Sequence, residues 1–284
     1  YKSSELTAVS ETGDVVTGSL NALSSSDKQF NSSNHKHQVK DLVKAGDIAF
    51  ATIYNLEDDN NQTMVKLDLS TNNNWDNTST YSPGSPTLTS LGVNSNNEAV
   101  LVGESGVLYT NSDALYTSNW TLSSTINSFE MADAQMVNSS TGYAVGNNGN
   151  ILKTSDGGLT WEFMAPPLTE NWKSLHFFDA THGVVVSNDK VIYTNNGISW
   201  NVLGGALTPL VSSTTLNDVV MTSKTSAFIA GGNSGSGDIY KVNTSSGTLT
   251  LEGISGSPDV LNAICLAKPL STPGGGTLYA TGDA

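Results

Sequence analysis

Apolar positions along this chain fall in short runs of similar shape, separated by stretches of Asn, Ser, Thr, Gly and Asp. Four of the runs superimpose: Ala99-Val-Leu-Val-Gly103, Gly142-Tyr-Ala-Val-Gly146, Gly183-Val-Val-Val-Ser187 and Ala227-Phe-Ile-Ala-Gly231 each have a small or aromatic start, a β-branched middle and a small exit. Their last residues stand 43, 41 and 44 apart. A second run follows each one, at Val107, Ile151, Val191 and Asp238, and another precedes each, most clearly at Leu175–Phe178 and Leu216–Met221. Short apolar runs bounded by turn residues read as strands, so the pattern predicts an all-β chain.

A repeat of about forty residues made of short strands is the signature of a β-propeller. In this register the inner strands begin near Leu6, Leu42, Leu91, Met131, Leu175, Leu216 and Leu261, which predicts seven blades. Gly13–Gly18 and Asp47–Tyr54 sit where second strands belong, and Met64–Leu69 followed by Trp75 reads as a third strand and its aromatic. The expectation is one propeller domain over residues 1–284. Six blades, with an irregular N-terminal segment at 1–85 and blades over 86–284, is the alternative. Thr277–Gly282 reads as a second strand with no third or fourth behind it. Tyr1–Ser4 is the candidate to complete that blade, so the termini are expected to share one sheet and close the ring, which removes an open edge. Continuation of the natural polypeptide past Ala284 is the other possibility, and position 1 is not Met.

The sharpest local signal follows the Ile151 run. Thr154-Ser-Asp-Gly-Gly-Leu-Thr-Trp161 fits Ser/Thr-x-Asp-x-Gly-x-Thr-Trp and resembles the Asp-box hairpin of neuraminidase-type repeats. Each residue has a physical task. Asp156 can accept backbone N–H bonds across the turn, Gly158 can take positive φ, and Trp161 can lay its ring between neighbouring blades, with Thr154 and Thr160 as the remaining motif positions. Thr194-Asn-Asn-Gly-Ile-Ser-Trp200 is a degraded copy read with Asn195 in place of the Asp, and Ser25–Phe30 is a fainter one.

Charge removes several functions. The basic residues total 12, every one of them Lys, and the net charge is −14. Nucleic-acid binding needs a basic stripe and is not expected. A sialidase grips its substrate carboxylate with arginines, whose forked guanidinium suits that task, so an arginine-free chain cannot build that site. The Asp-box is accordingly read as architecture. No apolar run approaches the ~20 residues of a membrane helix, and membrane insertion is not expected. Only 13% of residues are charged, which leaves a surface of Asn, Ser, Thr and Gly, a composition that leans toward exported or virion-surface proteins.

Candidate chemistry is sparse. Cys265 is the single cysteine and lies in an apolar run, where it is expected to pack in the core. His35 and His37 stand two apart, so on an extended strand both imidazoles face one side. The segment resembles the His-x-His elements of phage tail-fibre proteins, which implies a transition metal at His35 and His37 completed by other ligands; a polar loop is the competing reading. His176 is expected as a hydrogen-bonded wall residue and His182 as a turn residue. The acidic stretch Glu57–Asn61 reads as a hairpin tip rather than a calcium loop. Tyr81–Pro86, Gly231–Gly237 and Thr272–Gly276 read as connectors. Asp133, Asp179 and Asp218 sit on or just after inner strands, where a hydrolase could gather carboxylates round a channel; strand-end caps or solvent-facing acids are the favoured reading, and no catalytic residue and no cofactor are assigned.

The whole repeat, most clearly from Leu91 to Trp200, resembles the photosystem II assembly factor family of cyanobacteria and chloroplasts, with Gly142–Gly146 and Asp156–Trp161 carrying the likeness. The resemblance implies a seven-bladed docking platform. That family carries an arginine-rich partner-binding face, and this chain has no arginine. The polar surface and the His-x-His segment point instead to a non-catalytic binding module for a protein or glycan, placed in a virion appendage such as a tail fibre or adhesin or in another exported assembly, extracellular or on the virion surface. The alternatives are an assembly factor of a photosynthetic membrane complex, in the thylakoid lumen or periplasm, and a glycan-processing hydrolase.

Overall fold

The computed structural model describes residues 5–9, 15–19, 37–45, 48–55, 62–68, 76–81, 87–94, 96–112, 120–125, 129–203, 214–233, 236–252, 260–268 and 277–282. Among them the repeat resolves into antiparallel meanders of four strands. The first is β3 (His37–Ala45), β4 (Ile48–Asn55), β5 (Gln62–Asp68) and β6 (Asp76–Tyr81). The second is β7 (Leu88–Val93), β8 (Ala99–Gly103), β9 (Val107–Asn111) and β10 (Thr121–Thr125). The third is β11 (Met131–Met136), β12 (Gly142–Gly146), β13 (Ile151–Thr154) and β14 (Glu162–Met164). The fourth is β15 (Ser174–Asp179), β16 (His182–Val186), β17 (Val191–Thr194) and β18 (Asn201–Val202). The fifth is β19 (Thr215–Ser223), β20 (Ser226–Asn233), β21 (Ser236–Asn243) and β22 (Thr248–Leu251). Two hairpins flank them: β1 (Glu5–Val9) with β2 (Val15–Ser19), and β23 (Leu261–Lys268) with β24 (Thr277–Gly282). In every four-stranded sheet the strands pair in chain order.

First strands β3, β7, β11, β15, β19 and β23 lie against one another in sequence, which is the arrangement of propeller blades around an axis. The core therefore forms between sheets. Phe50 packs with Leu88, Leu91, Ala99 and Leu101; Val100, Val102 and Leu108 pack with Met131, Ala134, Met136, Ala144 and Leu152. Tyr143, Val145 and Ile151 meet Leu175, Phe177, Val185 and Ile192, and the series continues into the fifth sheet and β23. Alternate residues of one strand thus enter different cores. That is why the second strands are apolar throughout, as a strand buried on both faces must be.

The small exit residue has a steric cause. A Cβ on Gly103, Gly146 or Gly231 would stand 2.2, 2.1 or 2.3 Å from the carbonyl oxygen of Thr87, Glu130 or Thr215, at the entry to the neighbouring first strand. Only glycine clears a backbone at that range. Ser187 takes the place in the fourth sheet.

The first strands begin within five residues of the predicted positions, and the structure departs from the strand reading at Gly231–Gly237 and at Cys265. Gly231–Gly237 is no simple connector: β20 runs to Asn233 and β21 starts at Ser236, so both ends of the segment belong to strands. Cys265 lies on β23 but is exposed, because its neighbour Ile264 takes the inward position of the alternating strand. The segments Tyr1–Ser4, Ser25–Phe30, Glu57–Asn61, Pro83–Pro86 and Thr272–Gly276 lie outside the described residues.

Candidate functional site

The Asp-box hairpin joins β13 to β14 and is built as its residue types predict. Thr154 Oγ1 donates to Asp156 Oδ1 (2.8 Å) and accepts from the Gly158 amide (2.8 Å). Asp156 Oδ1 also accepts from the Thr160 amide (2.9 Å), and its Oδ2 from the Thr160 hydroxyl (2.6 Å). Those bonds from Thr160, joined by that from Thr154, hold the Asp156 carboxyl down at about 2. Gly157 and Gly158 carry φ of 78° and 88°, and Trp161 lies against the core between the second and third sheets, its Nε1 donating to the Gly158 carbonyl (3.2 Å). The side-chain oxygens of Thr154, Asp156 and Thr160 are all bonded within the turn.

The degraded copy between β17 and β18 needs a correction of register. Asn196, not Asn195, plays the part of the Asp: its Oδ1 accepts from Thr194 Oγ1 (3.2 Å) and from the Ile198 and Ser199 amides (both 2.9 Å). The turn is one residue shorter, which hides the match when copies are aligned from the tryptophan. At both tips an apolar side chain is left in solvent, Leu159 at 67% and Ile198 at 69% exposure.

The carboxylates that the sequence grouped as a candidate catalytic set separate by task. Asp179 sits in the β15–β16 turn, where its Oδ1 accepts from the Thr181 amide (2.8 Å) and hydroxyl (2.8 Å) and the His182 amide (2.9 Å), and lies 2.9 Å from His182 Nδ1. Partial burial pushes this carboxyl up, but the hydrogen bonds from His182 and Thr181 outweigh it and hold it well below the usual carboxylate range. Lys224 lies 3.3 Å from its other oxygen.

Asp133 and Asp218 neither cap strand ends nor face solvent. Each stands at a register shift of its first strand and reaches into the next sheet. Asp133 Oδ2 accepts from the Leu175 amide (2.8 Å) and its Oδ1 from the Ala134 amide (2.8 Å), with Ser90 Oγ also 2.8 Å from Oδ1. Asp218 Oδ2 accepts from the Ile264 amide (2.8 Å), and its Oδ1 from Ser174 Oγ (2.7 Å) and the Val219 amide (2.8 Å). Sequence reasoning missed Asp41, which does the same on β3: its Oδ2 accepts from the Leu91 amide (2.7 Å) and stands 2.8 Å from Ser90 Oγ. The signal that would have found it is the series Asp41, Ser90, Asp133, Ser174, Asp218, an alternation of carboxyl and hydroxyl at one place in successive repeats.

Other side chains tie the same strands. Gln135 spans to Phe177 with both ends of its amide, accepting from the Phe177 amide (2.7 Å) and donating to its carbonyl (3.2 Å). Lys173 Nζ donates to Asn217 Oδ1 (2.8 Å), and Asn217 Nδ2 to the Leu261 carbonyl (2.9 Å). His176 is the wall residue the sequence suggested: its Nδ1 accepts from the Met221 amide (3.2 Å), and burial brings the imidazole down to about 4. Side chains of this first-strand series therefore fasten sheet to sheet, which leaves their carboxylates occupied with structure rather than with a reaction. His35 lies outside the described residues and His37 is the first residue of β3. Among the described residues no group of three His, Cys, Asp or Glu could hold a metal ion, and no helix is long and apolar enough to cross a membrane.

With this geometry in view, residues 69–195 match the family model described as photosynthesis system II assembly factor YCF48. No curated protein sequence matches the chain. Among solved structures, "YCF48 bound to D1 peptide" is similar at a TM-score of 0.66 and 14% identity, covering 93% of this chain and 82% of that one. "Crystal structure of RRP9 WD40 repeats" gives 0.68 and 10%, covering 92% and 80%. "YCF48 from Cyanidioschyzon merolae" gives 0.50 and 17%, covering 64% and 61%. The chain is thus built of Asp-box-repeat β-propeller blades, and over residues 69–195 it is similar to the photosynthesis system II assembly factor YCF48 family.

Proposed function

We propose that this chain is a docking module of the assembly-factor kind, which holds a peptide segment of a partner protein against its propeller surface. The match of residues 69–195 to the YCF48 family carries the reading, and the likeness in fold to a YCF48 bound to a D1 peptide supports it. Both favour it over the virion appendage to which the polar, arginine-free sequence first pointed. The commitment of Asp41, Asp133 and Asp218 to neighbouring sheets fits a module that binds without catalysis.

Recognition here differs in chemistry from an arginine-bearing face. With 12 lysines, no arginine and a net charge of −14, contact falls to backbone groups, carboxylates and exposed apolar side chains such as Leu159 and Ile198. The domain is read as one propeller over 1–284 with seven blades, the terminal strands sharing the last, and the protein as extracytoplasmic, in a thylakoid lumen or an equivalent compartment. A metal at His35 and His37 is a separate reading; metal titration of the whole protein against His35→Ala tests it, with equal uptake by both removing it.

The function is tested by titrating a fluorescent D1 peptide with the purified protein. Saturable, stoichiometric binding that unlabelled peptide competes away is expected, with an affinity in the range of about 1–100 μM for a modest interface. No saturation up to about 1 mM, together with saturable binding on a glycan panel, would overturn the reading.

A further inference from the structure

The Asp-box turn leaves one side chain without a structural task. In the β13–β14 and β17–β18 hairpins that place is filled by Leu159 and Ile198, each two residues before its tryptophan. Among the described residues they are the most exposed large apolar side chains, and neither enters a core cluster. A single exposed aliphatic residue is ordinary. Two at the matching place of adjacent sheets, in a chain whose turns are mostly Asn, Ser, Thr and Gly, are a pattern that the fold does not require.

The two tips lie side by side. In a four-stranded meander the first and third turns fall at the same end of the sheet, and here they touch. The Gly157 amide donates to the Ser140 carbonyl (2.9 Å) in the β11–β12 turn. One sheet on, the Tyr143 hydroxyl donates to the Ala180 carbonyl (2.8 Å) and stands 3.4 Å from that of Gly197, so the second tip rests on the β15–β16 turn. Lys153 Nζ, at the base of the first tip, donates to the Gly197 carbonyl (2.8 Å) and joins the two hairpins.

The charges beside the tips select what they can hold. Asp156 is bonded by Thr154 and Thr160, and Asp179 by Thr181 and His182 with Lys224 3.3 Å away. Glu162, just past Trp161, is exposed and disfavours an acidic segment. Lys153 and Lys224 are turned to the Gly197 carbonyl and to Asp179, which leaves neither free for an anionic headgroup. A second copy of the chain would bring another −14 to the contact, which like-charge repulsion opposes. Resting on the docking reading above, we propose that Leu159 and Ile198 form a two-point anchor for an extended, uncharged segment of the partner with two aliphatic side chains four residues apart. Sheets packed face to face stand about 10 Å apart, and tips on the outer strands of sheets fanned round an axis stand somewhat farther. Side chains four apart on one face of an extended chain are separated by about 13 Å, which matches that span.

Selection of a random-peptide library on the wild-type protein, with depletion on the double variant Leu159→Ser with Ile198→Ser, tests the anchor. Both side chains stand in solvent outside the cores, so the variants should keep the wild-type melting temperature. Enriched peptides should be uncharged, with aliphatic residues four apart. Titrations should show binding about tenfold weaker to each single variant and about a hundredfold weaker to the double. Leu122→Ser, which removes an exposed aliphatic side chain from β10 instead, should stay within about twofold of the wild type. No enrichment, equal binding by the double variant, or enrichment of basic peptides that salt releases would overturn the anchor. Self-association, or sedimentation with phosphatidylglycerol vesicles, that the double variant abolishes would overturn it as well. The D1 titration of the wild type judges the docking reading separately. D1 peptide bound equally by the double variant keeps that reading and removes the anchor; tip-dependent library peptides without D1 binding do the reverse.

Discussion

At the scale of single residues, side chains in this protein are spent on holding turns and neighbouring strands. His176 shows what that costs. Its imidazole is buried and neutral, accepting from the Met221 amide, and titrates in the fold at about 4 against an ordinary value near 6.5. Between those values the unfolded chain binds the extra proton, so this residue makes stability fall as pH drops from about 6.5 to about 4, by up to about 3 kcal/mol. His176→Gln keeps an acceptor for Met221 and cannot titrate. Its acid limb in thermal unfolding should be flatter than that of the wild type by that amount, and an unchanged limb would show that His176 charges freely in the fold. How far residues could be read from sequence depended on range. Asp156, Gly158 and Trp161 were legible because their partners lie within a few positions. Asp41 and Asp133 were not, since their partners are 49 or 42 residues away and a lone Asp in an apolar run looks the same whatever it faces. Asn196 was hidden by a turn one residue short.

At the scale of strands and hairpins, the exit glycines are the strictest requirement. Gly146→Ala would put a methyl 2.1 Å from the Glu130 carbonyl, a backbone atom that cannot step aside. A loss of about 2–3 kcal/mol is expected, as for other forced overpacking in a core, read as a lower urea midpoint at unchanged m-value. Ser187→Ala, at the matching place in the fourth sheet, should cost less than half as much; comparable losses in both would mean that the close approach is not what sets the residue. Strands were the most readable part of the fold because both faces of each second strand are buried and their runs are unbroken. The fourth strands β14 and β18, short and polar with Phe163 and Val202 exposed, left almost no pattern to find.

At the scale of the molecule, a net charge of −14 opposes compactness and repels anions, with no arginine to set against it. Raising salt from about 0.02 M to about 0.3 M shortens the reach of that repulsion. The melting temperature is expected to rise by roughly 2–4 °C, worth about 1 kcal/mol for a domain of this size. A fall instead would mean that attractive pairs such as Lys224 with Asp179 outweigh the like charges. The same excess would act on the proposed peptide partner: a basic segment should gain from low salt, an acidic one should lose, and a neutral one should change little.

The placement of each core between two sheets bears on how such a protein grows. A sheet whose two faces belong to two different cores is a poor unit of inheritance by itself, for alone it would leave both faces wet. Added to the middle of the series it offers each neighbour the face it already accepts. Duplication of one repeat is therefore the change this architecture absorbs most readily, and once copies exist, each is free to drift everywhere except at its small exit residue and the few atoms that fasten it to the next.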